Sequence, residues 1–142
     1  MDVEGLVAYV RARGDGVVSS LGPGGEPQAA YLALAATDRG EVVFDARASS
    51  RKVANVRRDG RVALVVGGAD GTTLQAQGVA DVPYGGDRER CAAAYAAASP
   101  QFAASLADPG IVVVRVVLTW ARFGDFRVSP ALVHDVDLPG AP

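Results

Sequence analysis

The residues with the clearest potential for chemistry lie in the segment SSRKVANVRR, residues 49–58. Its apolar spacing predicts a short helix over residues 50–58, and either of its two serines is a favourable N-cap. Arg51 and Lys52 then fall in the first turn, where the helix dipole disfavours each surface cation by about 0.3–1 kcal/mol. An anion reverses that penalty, because free backbone N–H groups and both cations converge on it. The segment therefore indicates a phosphate site, and the alternative is two solvated surface cations.

Other kinds of reactive centre find little support in the residue inventory. Cys91 is the only cysteine, so an internal disulfide and a cysteine-based zinc site are excluded. His134, the only histidine, lies near the C-terminus, whereas a Ser-His-Asp triad needs a histidine held between two partners. A metal site needs several ligands, and with one histidine and one cysteine no metal site is expected. The glycine-rich stretches GPGGEP and GGADG match neither a Walker loop nor a dinucleotide fingerprint and are expected to be turns.

Length and composition predict one domain over residues 1–142. Hydrophobic residues make up 49%, charged residues 21%, and the net charge is −2. This balance argues against nucleic-acid binding, so five cations between positions 51 and 61 indicate a local anion site. No apolar run reaches the roughly 20 residues of a membrane span. The absence of a recognisable signal peptide and the single cysteine predict a reducing cytoplasm.

The elements that must position this segment are mainly hairpin strands. Short apolar runs alternate with turn residues, which predicts a mainly β fold with flanking helices: a six- to seven-stranded antiparallel barrel. The predicted strands cover residues 16–21, 28–36, 41–46, 61–68, 72–83 and 110–128. Helices are predicted over residues 1–13, 50–58 and 86–99, the last capped by Asp87, and residues 135–142 are expected to form a loose tail. The strand at 61–68 is expected to be buried on both faces, and the one at 110–128 to bend near Thr119–Trp120.

The order of three segments resembles that of a known superfamily. VVFDA is followed by SSRKVANVRRDGRVALVV and then LQAQGVADV, as in the FMN-binding split-barrel superfamily. This superfamily includes pyridoxamine 5′-phosphate oxidase and general-stress-type flavoproteins. The resemblance covers residues 16–128 and implies a split β-barrel, an FMN cofactor and flavin sites at a homodimer interface.

The resemblance also implies a set of cofactor-binding residues. They are Asp45, Ala46, Ser50, Arg51, Lys52, Thr73, Gln75 and Trp120. The serine, arginine and lysine would hold the 5′-phosphate, and the aspartate and alanine would lie beside the flavin. The threonine and glutamine would approach the isoalloxazine ring or the ribityl chain, and the tryptophan could come from the partner subunit.

Two departures from the oxidase narrow the implied function. Its basic pair on the strand before VVFDA is missing from AAYLALAA, and its C-terminal Arg-x-His arrangement has no counterpart in WARFGDFRV. The chain is therefore predicted to be an FMN-dependent oxidoreductase of an unknown small molecule, with no identifiable catalytic acid or base. One alternative is the deazaflavin F420, with Arg57 and Arg58 near its acidic tail. Another is a non-enzymatic flavin-binding or stress-response dimer. Some relatives bind haem, for which His134 alone is weak support.

Overall fold

Residues 1–140, the part of the chain that this computed structural model describes, form helices and antiparallel strands. The helices are α1 (Val3–Arg13), α2 (Arg51–Arg58) and α3 (Gly85–Ala98), with a 3₁₀ helix at Pro100–Ala107. The strands are β1 (Asp15–Leu21), β2 (Pro27–Ala33), β3 (Ala35–Ala36), β4 (Val42–Arg47), β5 (Arg61–Gly67), β6 (Thr72–Asp81), β7 (Ile111–Asp125) and β8 (Leu132–Asp135). Within residues 1–140 no helix is both long enough and apolar enough to cross a bilayer.

The strands form one curled antiparallel sheet in the order β2-β1-β5-β6-β7-β4-β3, with β8 added beside β7. This arrangement confirms the predicted mainly β split-barrel fold. The predicted strand at 28–36 is interrupted at Leu34, so that β2 pairs with β1 whereas β3 pairs with β4. One stretch of chain thereby connects the two margins of the sheet, and α2 follows directly from β4.

The long strand β7 bends where the sequence predicts. Its pairing with β6 shifts register between Gln77 and Gly78, and Thr119 is left opposite no partner. Only glycine fits at position 78, because a Cβ there would lie 2.5 Å from the carbonyl oxygen of Val117. The bulge lets one edge of β7 follow β6 along its length while the other edge pairs first with β4 and then with β8.

Two apolar clusters divide the core between the two faces of the sheet. The larger cluster fills the curled interior, where α1 contributes Leu6 and Val10 and α2 contributes Val53 and Val56. The smaller cluster lies under α3 and includes Cys91, which is fully buried. Helix α2 is thus anchored by its apolar side, which leaves its first turn free at the margin of the barrel.

Three local predictions are wrong. Helix α3 begins at Gly85 with Tyr84 as N-cap and no side-chain cap, so Asp87 lies in the first turn instead. Strand β5 is buried on one face only, and Val65 on its other face is 44% exposed. The tail is not loose at Val136 and Leu138, which are buried in the main core. Residues 141–142 of that predicted tail lie outside the described residues.

Candidate functional site

The first turn of α2 presents unsatisfied backbone donors. Ser50 is the N-cap in an extended conformation, and its Oγ accepts a hydrogen bond from the N–H of Val53 at 3.4 Å. The N–H groups of Arg51 and Lys52 have no acceptor in residues 1–140. The predicted helix start is therefore confirmed, and the helix terminus carries the partial positive charge expected of such free donors.

The side chains of Arg51 and Lys52 add charge that the described residues do not neutralise. Most arginines of this chain are paired with carboxylates: Arg11, Arg13, Arg47, Arg61, Arg90, Arg115, Arg122 and Arg127. By contrast, neither Arg51 nor Lys52 forms a hydrogen bond or ion pair with another side chain among residues 1–140, and the first turn of α2 contains no acidic residue. Two adjacent free cations at a helix N-terminus favour binding of an anion.

A cavity of about 130 Å³ lies beside these cations, between α2 and the hairpin of β1 and β2. It is lined by Val18, Ser20, Gln28, Ala29, Ala30, Arg51, Lys52 and Asn55. Its polar lining combines donors from α2 with two side chains on the hairpin. A site of this size and polarity suits a compact anion such as a phosphate group.

Three polar residues of this cavity, Ser20, Gln28 and Asn55, were not predicted from the sequence. Asn55 is 2% exposed and donates from Nδ2 to Oγ of Ser20 at 3.0 Å and to Oε1 of Gln28 at 2.9 Å. Arg58 donates to Oδ1 of Asn55 at 2.7 Å and to the carbonyl oxygen of Leu21 at 3.0 Å. These bonds fix α2 to the hairpin. The available signal was an asparagine on the apolar side of the predicted helix, where a buried amide requires polar partners.

Asp45 and Ala46 point to opposite faces of β4. Ala46 is buried in the main core. The carboxylate of Asp45 accepts from the hydroxyl of Tyr95 at 3.0 Å and from Oγ of Ser105 at 2.8 Å. Neither residue lines the cavity at Arg51 and Lys52. The contacts of Asp45 therefore support a role in fixing α3 and the 3₁₀ helix, and they give no support to its predicted place beside a flavin.

Replacing Tyr95 by phenylalanine is expected to reduce the free energy of unfolding by about 1.5–3 kcal/mol, because a hydrogen bond to a charged group is lost. The tyrosine is 3% exposed, and burial together with Asp45 raises the pKa of its hydroxyl, so it remains a donor at neutral pH. Urea unfolding measures the loss. Ser105→Ala, which removes the other, more exposed donor, is the control and should cost less; equal stability of Tyr95→Phe and wild type would contradict the assignment.

The other predicted cofactor residues lie on the outer face of the sheet. Gln75 pairs with Arg122, Gln77 with Trp120, and Thr73 with Gly124, so these side chains share one face across β6 and β7. The guanidinium of Arg122 lies 5.4 Å from the Trp120 ring centroid. None of Thr73, Gln75 and Trp120 lines the cavity at α2. Within one chain, the predicted phosphate residues therefore lie together at the start of α2. The predicted ring residues lie together elsewhere, on the outer face of β6 and β7.

This outer face, which we call the open face, carries exposed apolar residues beside its polar ones. Its exposed large hydrophobic residues are Val17, Tyr31, Val65, Val79 and Val117, between 37% and 69% exposed. Strand pairing places them in two groups, one of Tyr31, Val17 and Val65 and the other of Val79 and Val117. A groove of about 460 Å³ runs across the same face. Exposed apolar groups beside a groove are typical of a protein interface or a ligand site.

Comparison with known proteins identifies the type of fold and the family. The sequence model of the pyridoxamine 5′-phosphate oxidase family matches residues 4–124. A search of curated proteins finds no significant match.

Solved structures share the fold at low sequence identity. A heme binding protein from Mycobacterium smegmatis has a TM-score of 0.79 at 15% identity, over 97% of this chain but 62% of that longer protein. A conserved hypothetical protein from Mycobacterium tuberculosis has a TM-score of 0.74 at 23% identity, over 89% of this chain and 86% of that one. A pyridoxamine 5′-phosphate oxidase-related, FMN binding protein from Nostoc punctiforme has a TM-score of 0.68 at 12% identity, over 92% and 85%.

Proposed function

This chain belongs to the pyridoxamine 5′-phosphate oxidase family, and from that premise we propose that it is an FMN-binding homodimer that acts as an oxidoreductase on a small molecule. The observation that carries the proposal is the pair of cations, Arg51 and Lys52, which have no side-chain partner within residues 1–140 and lie at the free N-terminus of α2. The donor set fits a phosphate monoester, which carries up to two negative charges and three acceptor oxygens. The FMN binding protein from Nostoc punctiforme, which shares the fold, adds support.

The proposed roles follow from the chemistry of each group. The N–H groups of Arg51 and Lys52 and their charged side chains would bind the 5′-phosphate, and Ser50 would keep the helix start in place as its N-cap. The bound flavin would supply the hydride transfer. The protein would then supply binding, orientation and exclusion of water.

A homodimer would explain why the predicted cofactor residues form two separate sets. The open face is apolar enough to bury against a second copy, and its Thr73, Gln75 and Trp120 would then contact a flavin bound at α2 of the partner subunit. A flavin shared between two subunits would use both sets at once. This proposal therefore links the cofactor site to the oligomeric state.

The absorption spectrum of the purified protein, followed by titration of the apoprotein with FMN, tests the proposal. We expect the two flavin absorption bands, one flavin per subunit, and tighter binding of FMN than of riboflavin. Reduction of the bound flavin by NADH or NADPH and reoxidation by an added acceptor would support an enzyme. Binding without any turnover would indicate a non-enzymatic flavin protein, and no binding of FMN would contradict the cofactor assignment.

Two other cofactors are tested in the same titration. F420 has a longer acidic tail, for which Arg57 offers an exposed cation on α2 that has no side-chain partner in residues 1–140. Haem is suggested by the fold neighbour from Mycobacterium smegmatis. A histidine axial ligand would be His134, whose Nε2 lies 3.2 Å from the N-terminal nitrogen and whose ring packs on Phe123. A Soret band would identify haem, and preferential binding of F420 would identify the deazaflavin.

Replacing Val65 by aspartate is expected to convert the dimer into a monomer. The change puts a charge in the middle of the open face and removes a valine worth about 1.5–3 kcal/mol of burial, so the dimer dissociation constant should rise at least about 100-fold. Light scattering measures the mass, which for the monomer is 14.5 kDa. Ala107→Asp, an exposed position on the 3₁₀ helix, is the control and should remain dimeric. A wild type that is itself monomeric would contradict the homodimer.

A further inference from the structure

Arg58 determines the orientation of the buried amide beside the cavity. A guanidinium can only donate, and its Nη2 lies 2.7 Å from Oδ1 of Asn55, so this atom has to be the amide oxygen. Nδ2 of Asn55 is then directed at Oγ of Ser20 and Oε1 of Gln28, and both atoms act as acceptors. Because Asn55 is 2% exposed, water cannot easily replace these partners.

The orientation of Asn55 decides which atoms remain available to a ligand. Oγ of Ser20 accepts from Nδ2 of Asn55 through one of its lone pairs, and the Ser20 hydroxyl proton has no acceptor within residues 1–140. Oε1 of Gln28 accepts from Asn55, and its Nε2 donates to no atom among the described residues, although it lies toward Gly22 and the Glu26 side chain at the hairpin turn. Ser20 is 5% exposed and lines the cavity. Its hydroxyl proton is therefore shielded from bulk solvent and can be donated to a ligand in the cavity. The acceptor ends of both residues are thus occupied, and the donor ends are left over.

We propose that Asn55 is a positioning residue that sets the polarity of this cavity, and that Ser20 and Gln28 are two further ligands of the bound phosphate monoester. The proposal rests on the proposed function and adds two neutral donors from the β1–β2 hairpin to the cations of α2. The side-chain donors left over at this cavity favour a dianion over a neutral hydroxyl group, which has to donate as well as accept. The expected consequence is selectivity for FMN over riboflavin.

The substitution Asn55→Asp tests the polarity directly. A carboxylate can only accept, so the Ser20 hydroxyl and Gln28 Nε2 would turn toward it and leave acceptor atoms facing the ligand. Ala54→Asp is the matched control, because it places the same charge on the preceding residue of α2, at an exposed position outside this network. We expect the FMN dissociation constant to rise at least about 100-fold in Asn55→Asp and no more than about tenfold in the control. Equal losses in the two variants would overturn the proposal.

Gln28→Leu and Ser20→Ala test the two ligands without a new charge. Each should weaken FMN binding about tenfold, the value of one hydrogen bond to a charged group, and leave riboflavin binding unchanged. The ratio of the riboflavin to the FMN dissociation constant is the decisive readout, because a purely structural role would weaken both. Gln28 lies on the edge strand β2 and is only partly buried, so this variant is expected to fold. An unchanged ratio in both variants would overturn the assignment.

Inorganic phosphate separates this proposal from the choice of cofactor. If the wild type binds neither FMN nor F420, the proposed function fails. Phosphate is then titrated into the ¹⁵N-labelled protein while the side-chain amide signals of Gln28 and Asn55 are followed. A saturable shift of the Gln28 signal that is lost in Arg51→Ala would support the donor-lined anion site. No shift at millimolar phosphate would overturn the inference as well.

Discussion

Replacing Arg51 and Lys52 together by alanine is expected to weaken FMN binding by at least about 2 kcal/mol, which is about thirtyfold in Kd. Two charge-assisted hydrogen bonds to the phosphate are lost, while the backbone N–H groups of α2 remain. Folding should be unaffected, because neither side chain bonds to another side chain within the part of the chain that the structure describes. Titration monitored by flavin fluorescence at fixed ionic strength gives the two affinities.

The control for this experiment keeps the change in net charge and moves it away from the cavity. Arg39 and Arg57 are exposed and likewise form no ion pair among residues 1–140, and neither lines the cavity at α2. Their double replacement by alanine should change FMN affinity less than about threefold, an effect of long-range charge alone. If the folded Arg51→Ala, Lys52→Ala variant binds FMN as tightly as the wild type does, the phosphate assignment is wrong.

The features that the sequence predicted correctly depend on near neighbours in the chain. The N-cap at Ser50 needs only the next few residues to be recognised. The strand predicted over residues 72–83 is recognised over the same short range, and β6 (Thr72–Asp81) confirms it. The hairpins follow from the turn residues between apolar runs. Such local signals were sufficient for the fold class and for the cations of α2.

The features that were missed depend on contacts between distant segments. Asn55 meets Ser20 and Gln28 across 35 and 27 residues, and its place on the apolar side of α2 does not identify these partners. The direction of Asp45 depends on α3, which supplies Tyr95 fifty residues later. Local pattern identifies the position of a side chain on its strand. Which element covers that face is decided by tertiary packing.

The wrong burial prediction for β5 bears on the proposed oligomeric state. A continuous apolar run suggested a strand buried on both faces, whereas Val65 and its neighbours on the open face are exposed. Strand β5 has the apolar composition of a strand buried on both faces, but the described residues cover only one of its faces. A second copy on the open face would remove this discrepancy, which is why the same composition that misled the burial prediction supports the proposed homodimer.

Glu41→Gln is expected to reduce the free energy of unfolding by about 3 kcal/mol at neutral pH, the lower end of the range for removing one partner of a buried ion pair. The Glu41 side chain is 10% exposed and is held between two arginines. Arg90 forms a two-point pair with it, and Arg115 lies 3.4 Å away. A loss at the lower end of that range is expected because both arginines keep a carboxylate partner: Arg90 retains Asp87, and Arg115 retains Asp81.

The pH dependence distinguishes this ion pair from simple loss of packing. Hydrogen bonding from Arg90 lowers the pKa of Glu41 below its ordinary value of 4.5, against the opposing effect of burial. A carboxyl group whose pKa is lower in the folded state stabilises the protein above its unfolded pKa, and this contribution is lost as the pH falls through the folded pKa. The stability difference between wild type and Glu41→Gln should therefore be constant near neutrality and shrink below about pH 4.5.

Denaturant unfolding of both proteins between pH 3 and 7, roughly the range over which carboxyl groups change charge, measures this difference. Asp38→Asn is the control, because its ion pair with Arg11 involves a side chain that is 93% exposed and should barely change the unfolding midpoint. A difference that stays constant down to pH 3 would assign the loss to packing. The expected decline would instead show that charge on Glu41 fixes α3 to β7, since Arg90 belongs to the helix and Arg115 to the strand.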